Sequence, residues 1–296
     1  MKSLKKQGGF TLLELLVVVG LMAAVAVVAV STYDDADASA SISTDLSNMQ
    51  SIDQGMRNYA GKHNGDFPEQ LDSLVTQAGV AYVALAPETQ AALQVLPVDV
   101  NDSTGEAIRE ALENNGMGDF QFIIEANNTT TAVYKQDPNA QHSEASGNGV
   151  EEDADTATRL TIVANKLAGT CEIDGADYSA ANTLAAAAAK TNALNAISDQ
   201  FEGDVCNVVV ALGVGGDAAA NSGGAIGATS SDAVKDKAAH YSRYLGLFHV
   251  AQDGSATGLP NGEIEANEVF AKPRFVGVIN PLGQGANELN KLKNTQ

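Results

Sequence analysis

Residues 8–33, GGFTLLELLVVVGLMAAVAVVAVSTY, form an apolar stretch that contains a single carboxylate, Glu14. Residues 1–9 carry three lysines and no acidic residue, so this end of the chain is expected to stay in the cytoplasm. As a helix, residues 10–30 would extend roughly 31 Å at about 1.5 Å per residue, which matches one bilayer core. The sequence therefore predicts one N-terminal membrane helix.

Glu14 is unusual in such a helix. An ionised side chain near the centre of a membrane helix costs about 2.5–3.5 kcal/mol on insertion scales, so it is a functional hypothesis by default. The basic leader ends in Gly8-Gly9, directly before Phe10, which indicates cleavage before the apolar stretch. A conventional signal peptide, cut after its apolar core near Thr32, is the alternative.

Length, charge and hydropathy indicate what kind of region follows the membrane helix. At 296 residues the chain can bury a substantial core, as one large domain or two small ones. Its formal net charge of −20 at pH 7 makes nucleic acids and anionic membrane surfaces poor partners for the soluble part. No second long apolar stretch occurs after Val30. We therefore expect one membrane segment and then an acidic soluble region.

The quoted stretch resembles the N-terminus of type IV pilins and of the pseudopilins of type II secretion. The resemblance implies that a membrane aspartyl peptidase removes residues 1–9, cutting after Gly9, and that Phe10 becomes the N-methylated first residue. It also implies that Glu14, fifth in the mature chain, faces the Phe10 amine of a neighbouring subunit in a filament. An unpaired carboxylate is costly inside a dry helix bundle, so only the correct axial step would satisfy it.

The resemblance predicts a structural subunit, a pilin, that polymerises through its N-terminal helix into an extracellular type IV pilus-like filament for adhesion or motility. Its partners would be further copies of the chain in a helical filament, the prepilin peptidase and the assembly platform of the bacterial inner membrane. A pseudopilin or minor pilin of a type II secretion or related machine, with a periplasmic filament, is the first alternative. An extracytoplasmic binding domain or enzyme anchored by a pilin leader is the second.

The predicted fold is α+β, with a long N-terminal hydrophobic helix packed on a C-terminal globular head that carries an antiparallel sheet. Residues 10–32 would form the transmembrane and assembly helix, and residues 33–64 its amphipathic continuation into the head. The head would span residues 65–296, with a possible split into two subdomains near 145–155. Where many pilins have a glycine and then a proline, this chain has Ala23 and Ser31, which favours a straighter helix.

The amphipathic continuation is predicted from apolar residues at intervals of three and four. This stripe consists of Ile42, Leu46, Met49, Ile52, Met56 and Tyr59. Acidic residues are expected to lie largely off the stripe: Asp34, Asp35, Asp37, Asp45 and Asp53. The stripe would then be the face that seats the head, and Gly61, Asn64 and Gly65 would end the helix.

Within the head, short periodic segments predict the secondary structure. Helices are expected at Glu69–Gln77, Glu106–Asn114 and Asn182–Phe201. Strands are expected in FQFIIEA (120–126), TTTAVYK (129–135), CNVVVALGVG (206–215), YSRYLGLFHVA (241–251), EVFAKP (268–273) and RFVGVINP (274–281). Residues 136–158 and 217–231 are expected to be loops.

The two cysteines of the chain, Cys171 and Cys206, favour one disulfide in a head exported from the cytoplasm. The resemblance supports this pairing, because pilins often carry a disulfide in the C-terminal part of the head. Two buried thiols are the alternative.

The sequence predicts no enzyme activity, no cofactor and no metal. GVGG at residues 213–216 lacks the lysine of a phosphate-binding loop and is interpreted as a turn. The histidines, which have no metal-ligand spacing, are His63, His142, His240 and His249. The loop 253–268 does not fit the EF-hand pattern, although it leaves a calcium site open as an alternative. Its candidate ligands would be Asp253, Asn261, Glu263 and Glu265.

Overall fold

A computed structural model describes ten parts of the chain. They are residues 12–76, 85–98, 103–123, 149–153, 159–165, 170–178, 201, 205–237, 240–256 and 258–295. Within them an N-terminal helix precedes a head rich in strands, so the predicted α+β class is confirmed. The cleavage site at Gly9 and Phe10, the predicted strand at 129–135 and all of the helix predicted at Asn182–Phe201 except its last residue lie outside the described residues.

The first helix, α1 (Leu12–Lys62), contains 51 residues and continues without a break past Gly20 and Ser31. It ends where Asn64 and Gly65 adopt positive φ angles of 57° and 96°. The Gly65 amide donates to the Ala60 carbonyl at 2.8 Å, which is a left-handed helix cap. Among the residues whose side chains are described, no helix is long and apolar enough to cross a membrane.

The described strands are given with their bounds in chain order. They are β1 (Leu71–Thr76), β2 (Gln94–Pro97), β3 (Asp119–Ile123), β4 (Gly149–Asp153), β5 (Arg159–Asn165), β6 (Glu172–Ile173), β7 (Ala176–Asp177), β8 (Asn207–Gly213), β9 (Leu245–Gln252), β10 (Glu263–Ile264) and β11 (Val269–Ile279). The further described helices are α2 (Pro87–Ala92), α3 (Ser103–Glu113), α4 (Gly216–Asn221) and α5 (Ala286–Thr295), with a 3₁₀ turn at Ala266–Glu268.

Eight of the described strands form one sheet. Six of them have the order β11–β9–β8–β1–β3–β4, while β5 pairs with both β8 and β2. Neighbouring strands in this sheet are antiparallel, as predicted, except that β1 runs parallel to β3. A second, small sheet joins β10, β6 and β7. Strands on both sides of residues 145–155 thus belong to the same large sheet.

The large sheet is covered on both faces at β8, whose residues are all buried. One hydrophobic cluster contains Met49, Ile52 and Met56 of α1 together with Val208, Val210 and Leu212 of β8. The opposite cluster contains Val209 and Ala211 of β8 together with Leu74, Tyr241, Leu245, Leu247 and Ile279. Burying each such apolar side chain stabilises the fold by about 1.5–3 kcal/mol, so the second half of α1 is an integral part of the head.

The helix predicted at Glu69–Gln77 is wrong, because this segment forms strand β1. Leu71 and Val75 contact one cluster and Leu74 contacts the other. A strand that is buried on both faces loses the usual alternation of apolar and polar residues, so its pattern resembles that of a helix. Leu74 also has a positive φ of 59°, which local propensity does not predict.

The other predicted elements differ less from those that the structure contains. Helix α3 and strands β3, β8 and β9 are found at the expected places, whereas residues 149–153, predicted as a loop, form the acidic edge strand β4. The predicted loop 217–231 begins with most of α4, whose Ala218 is fully buried. The segments EVFAKP and RFVGVINP form the single strand β11, which continues through Pro273. An edge strand tolerates proline, since one of its sides needs no donor for the sheet.

Candidate functional site

The N-terminal part of α1, residues 12–27, is exposed along its whole length, and we call it the stem. Its large apolar side chains are between 49% and 83% exposed: Leu12, Leu13, Leu15, Leu16, Val17, Val18, Val19, Leu21, Met22, Val25 and Val27. They point in every direction around the helix axis. A helix that is apolar on all sides requires lipid or other protein around it, so the stem is a surface for burial.

Glu14 lies in the first turn of α1, and its side chain is exposed among the leucines of the stem. A carboxylate in the first turn interacts favourably with the helix dipole, which stabilises this end by about 0.3–1 kcal/mol at an exposed site. The described part of the stem, residues 12–27, contains no other acidic or basic residue. Any partner that covers the stem must therefore also accommodate this one carboxylate.

The second half of α1 is seated in the head through the predicted stripe. Met49, Ile52 and Met56 are at most 3% exposed, and Gly55 lies against the backbone of Ala225 so closely that a Cβ would collide with its carbonyl oxygen. Ile42 and Leu46 pack against the same core, and Tyr59 stacks on His63 with ring centroids 4.0 Å apart. The stripe prediction is confirmed for the residues that meet the head.

Asp45 contradicts the expectation that the acidic residues lie off this face. Its carboxylate is 1% exposed and accepts hydrogen bonds from Ser231 Oγ (2.9 Å), Tyr244 OH (2.7 Å) and Asn280 Nδ2 (3.2 Å). Burial of the phenol, together with its bond to Asp45, raises the pKa of Tyr244 well above its usual range. The spacing of residues 45, 49, 52 and 56 could have revealed Asp45, because it continues the stripe by one turn.

The GVGG segment between β8 and α4 surrounds another buried carboxylate. Asp72 is 2% exposed and accepts a hydrogen bond from Tyr241 OH at 2.5 Å. A Cβ at Gly213 or Gly215 would collide with the Asp72 side chain or with Tyr241, so these glycines permit the close approach. The glycines therefore accommodate a carboxylate of the chain itself, which agrees with their interpretation as a turn.

The acidic loop 253–268 uses two of its carboxylates internally, those of Asp253 and Glu268, whereas the candidate ligands Asn261, Glu263 and Glu265 are exposed. Asp253, 1% exposed, accepts hydrogen bonds from the Asn261 and Gly262 amides at 2.9 and 2.8 Å. Glu268 accepts from the Gly254 amide at 2.7 Å and from the Glu265 amide at 3.2 Å. Among the described residues, no group of three His, Cys, Asp or Glu side chains is arranged to hold a metal ion.

The predicted disulfide between Cys171 and Cys206 is present, with the Cα atoms 5.4 Å apart and both residues fully buried. Cys206 directly precedes β8 in the large sheet, and its carbonyl accepts a hydrogen bond from the Asp253 amide at 2.9 Å. Cys171 directly precedes β6 in the small sheet. The bond thereby ties the small sheet and the acidic loop to the centre of the head.

A groove of about 770 Å³ runs beside α1, between this helix, β11 and the start of α5. Its polar residues include Gln50, Gln54 and Asn287. Arg57 makes two bonds to the Asp53 carboxylate, at 2.9 and 3.1 Å, and this carboxylate raises the pKa of Arg57. The guanidinium of Arg57 is therefore already engaged within the chain.

His249 is a buried imidazole on β9. Its ring meets those of Phe201 and Phe270 edge-on, at centroid distances of 4.4 and 4.8 Å, and Nε2 has no hydrogen-bond partner among the described residues. Burial, and secondarily the nearby Arg274, lower the pKa of His249 from 6.5 to about 4. His249 is thus a neutral core residue at pH 7.

This lowered pKa predicts a pH dependence of stability. Between about pH 6.5 and 4 the unfolded chain binds a proton that the folded protein excludes, so His249 lowers stability as the pH falls through this range. His249→Phe should make the melting temperature less sensitive to pH between 7 and 5, above the range in which most carboxylates titrate. Thermal melts of both proteins across this range test the prediction, and equal slopes would contradict it.

The N-terminal part of the chain, which includes the exposed stem, matches one known protein family model. Residues 4–30 match the family model of the prokaryotic N-terminal methylation motif. The chain carries a prepilin-type leader. This leader is that of type IV pilins and pseudopilins, so it indicates a pilin-like or pseudopilin protein that is processed by a prepilin peptidase. No curated protein and no solved structure matched the chain.

Proposed function

We propose that this pilin-like chain is a structural subunit that polymerises through its N-terminal helix into a type IV pilus-like filament. The observation that carries the proposal is the stem of α1, whose large apolar side chains are 49–83% exposed behind a prepilin-type leader. Such a helix is stable in lipid or in a bundle of like helices. The same surface can therefore anchor the precursor in the inner membrane and later pack against other subunits.

Glu14 sets the axial offset, or register, between neighbouring subunits in this bundle. Cleavage after Gly9 places the new amine on Phe10, four residues before Glu14, which is about 6 Å along a helix axis. A neighbour displaced by about one helical turn thus brings its amine level with this carboxylate. Because desolvation offsets much of the attraction between the two charges, the pair selects the axial step more than it adds stability.

We further propose that the head has a structural and not a catalytic role, and that it needs no cofactor. Its buried carboxylates support this, because Asp45 and Asp72 accept hydrogen bonds from distant segments of the chain, and Asp253 and Glu268 accept them from amides of their own loop. These bonds hold segments of the fold together or keep the loop in shape. A catalytic carboxylate, in contrast, must remain accessible to a substrate.

A pseudopilin or minor pilin of a secretion machine is the second candidate, favoured by the same leader motif, which these proteins share. The location of the mature protein separates the two. A major pilin should dominate the material sheared from the cell surface, whereas a pseudopilin should remain in the cell envelope. A monomeric protein in both fractions would instead indicate an anchored binding domain or enzyme.

The leader motif predicts cleavage between Gly9 and Phe10. The intact mass of the mature protein should correspond to a chain that starts at Phe10 and carries one added methyl group. Gly9→Leu should block processing, because the peptidase must accommodate the residue before the cut, whereas Gly9→Ala, the matched control, should retain part of it. A mature chain that starts near Thr32 would contradict the prediction and indicate an ordinary secreted protein.

A further inference from the structure

Asp45 occupies a special position on α1. It is the first residue along the described part of the helix that is fully buried in the head, and it lies in the stripe that continues with Met49, Ile52 and Met56. Side chains nearer the N-terminus are, where described, exposed or only partly buried. Among the described side chains of α1, Asp45 is therefore the one nearest the N-terminus that is fully in contact with the head.

The three donors to Asp45 come from separate parts of the head. Ser231 lies in the segment after α4, Tyr244 directly before β9, and Asn280 directly after β11. Tyr244 OH also accepts a bond from Asn48 at 3.1 Å, and Asn280 Oδ1 accepts from the Leu282 and Gln284 amides at 3.1 and 2.9 Å. Asn48 lies on α1 itself, so its bond would move with the helix. Ser231 Oγ accepts from the Ala233 amide at 3.1 Å, so Ser231 and Asn280 are held by bonds within the head and cannot simply move with a displaced carboxylate.

A buried carboxylate bound by neutral donors is a poor source of stability, because its desolvation offsets the bonds that it makes. An apolar side chain at this position would continue the stripe without that desolvation cost, although it would leave the three buried donors without this acceptor. Buried polar groups are best documented as devices that fix register and orientation. A shift of α1 by one residue would turn the Asp45 carboxylate by about 100° and remove it from its donors.

The orientation of α1 in the head also decides where Glu14 points. The two acidic residues are 31 positions apart on one continuous helix, which corresponds to about 46 Å along the axis. At about 100° per residue, Glu14 lies about 140° around the axis from Asp45. Glu14 is therefore on the side of α1 that is turned away from the head.

We propose that Asp45 is a positioning residue that locks the rotation and axial position of α1 in the head, and thereby directs Glu14 away from the head and toward neighbouring stems. We call this fixing of α1 by Asp45 the lock. The effect of the lock on filaments rests on the proposed function, whereas the lock itself does not. Without the lock, the apolar stripe and the close contact of Gly55 with Ala225 would still hold α1 in the head, but they would fix its rotation less narrowly. Stems would then present Glu14 in varying directions.

The lock is testable in the mature full-length protein, purified in detergent, by measuring distances between two spin labels. Ala40→Cys places one label on the exposed side of α1, and Lys235→Cys places the other on the head. The native cysteines are joined in the buried disulfide and do not react. The otherwise unchanged protein should give one narrow distance distribution, and Asp45→Leu should broaden it at least twofold in a protein that remains folded.

Asp53→Leu is the matched control, because it also removes a carboxylate from the part of α1 within the head. The Asp53 carboxylate is partly exposed and, among the described residues, is bound only to Arg57. It should leave the distribution narrow. If Asp45→Leu fails to fold, the double variant Ser231→Ala/Tyr244→Phe removes two of the three donors and should also broaden the distribution. An unchanged distribution in a folded variant that lacks either the carboxylate or these donors would overturn the proposal.

Filament yield then links the lock to assembly. Asp45→Leu should reduce the yield of sheared filaments several-fold, while the amount of protein in the membrane and the cleavage of the leader remain normal. Normal filaments from Glu14→Leu would refute the proposed function but leave the label distances as an independent test of the lock. Normal filaments from Asp45→Leu together with a broadened distribution would refute the consequence for assembly.

Discussion

Glu14→Leu is expected to abolish filaments while leaving insertion, processing and folding of the head intact. Loss of a charge from an apolar helix should leave insertion unchanged or improve it. Helix α1 is seated in the head by Met49, Ile52 and Met56, far from this position, so the head should fold normally. Filament yield should fall at least about tenfold, the change that about 1.4 kcal/mol of lost subunit affinity would produce.

The expected loss has a specific physical reason. In the assembled bundle the Phe10 amine of one subunit would face leucine on its neighbour, so a positive charge would be buried without its counter-charge. Removing one partner of a buried ion pair is strongly destabilising, by about 3–5 kcal/mol, because the other charge remains. The cost would recur at every subunit of the filament.

Two variants control for size and charge. Glu14→Gln keeps the shape of the side chain but removes its charge, and should resemble Glu14→Leu. Glu14→Asp keeps the charge on a shorter side chain and should give intermediate yields. Membrane level, mature mass and sheared filament should be measured for each variant. Normal filaments from Glu14→Leu would refute the role in register, and failed insertion would show that Glu14 acts before assembly.

The elements that the sequence predicts correctly are those with a strong local signal. The stripe from Ile42 to Met56 repeats at helical spacing, and residues 208–212 of β8 are an unbroken run of β-branched and aliphatic residues. The disulfide was predictable because two cysteines in an exported head allow one pairing. For the stripe and β8 the pattern of one short segment is sufficient, and for the disulfide the number of cysteines is.

The elements that could not be predicted depend on contacts between distant segments. The spacing of Asp45 places it on the stripe, but its hydrogen bonds could not be predicted, because its donors lie 186 to 235 positions away. Strand β1 has apolar residues at helical spacing because both of its faces are buried. Tertiary structure overrides local pattern at both places.

Removal of the disulfide is expected to give the largest loss of head stability. The bond closes a loop with a sequence separation of 35, for which the chain-entropy model gives about 4 kcal/mol of stabilisation. Cys171→Ser/Cys206→Ser should therefore lower the free energy of unfolding by about that amount, through greater freedom of the unfolded chain. Such a loss is a large part of the roughly 5–15 kcal/mol that is typical of folded domains.

The position of the bond indicates which part should loosen first. Cys171 precedes the small sheet, whose β6 pairs with β10 of the acidic loop, while Cys206 precedes the central strand β8. Native-state hydrogen exchange should therefore speed up in β6, β7 and β10 before it does in β8 and β9.

The reduced wild-type protein is the control for the serine side chains and should match the double variant. Leader cleavage should be unaffected, because Gly9 belongs to a separate segment of the chain. Equal unfolding midpoints for the variant and the oxidised wild-type protein would show that the bond contributes little, and that the buried contacts of β8 with β5 and β9 hold the head together without it.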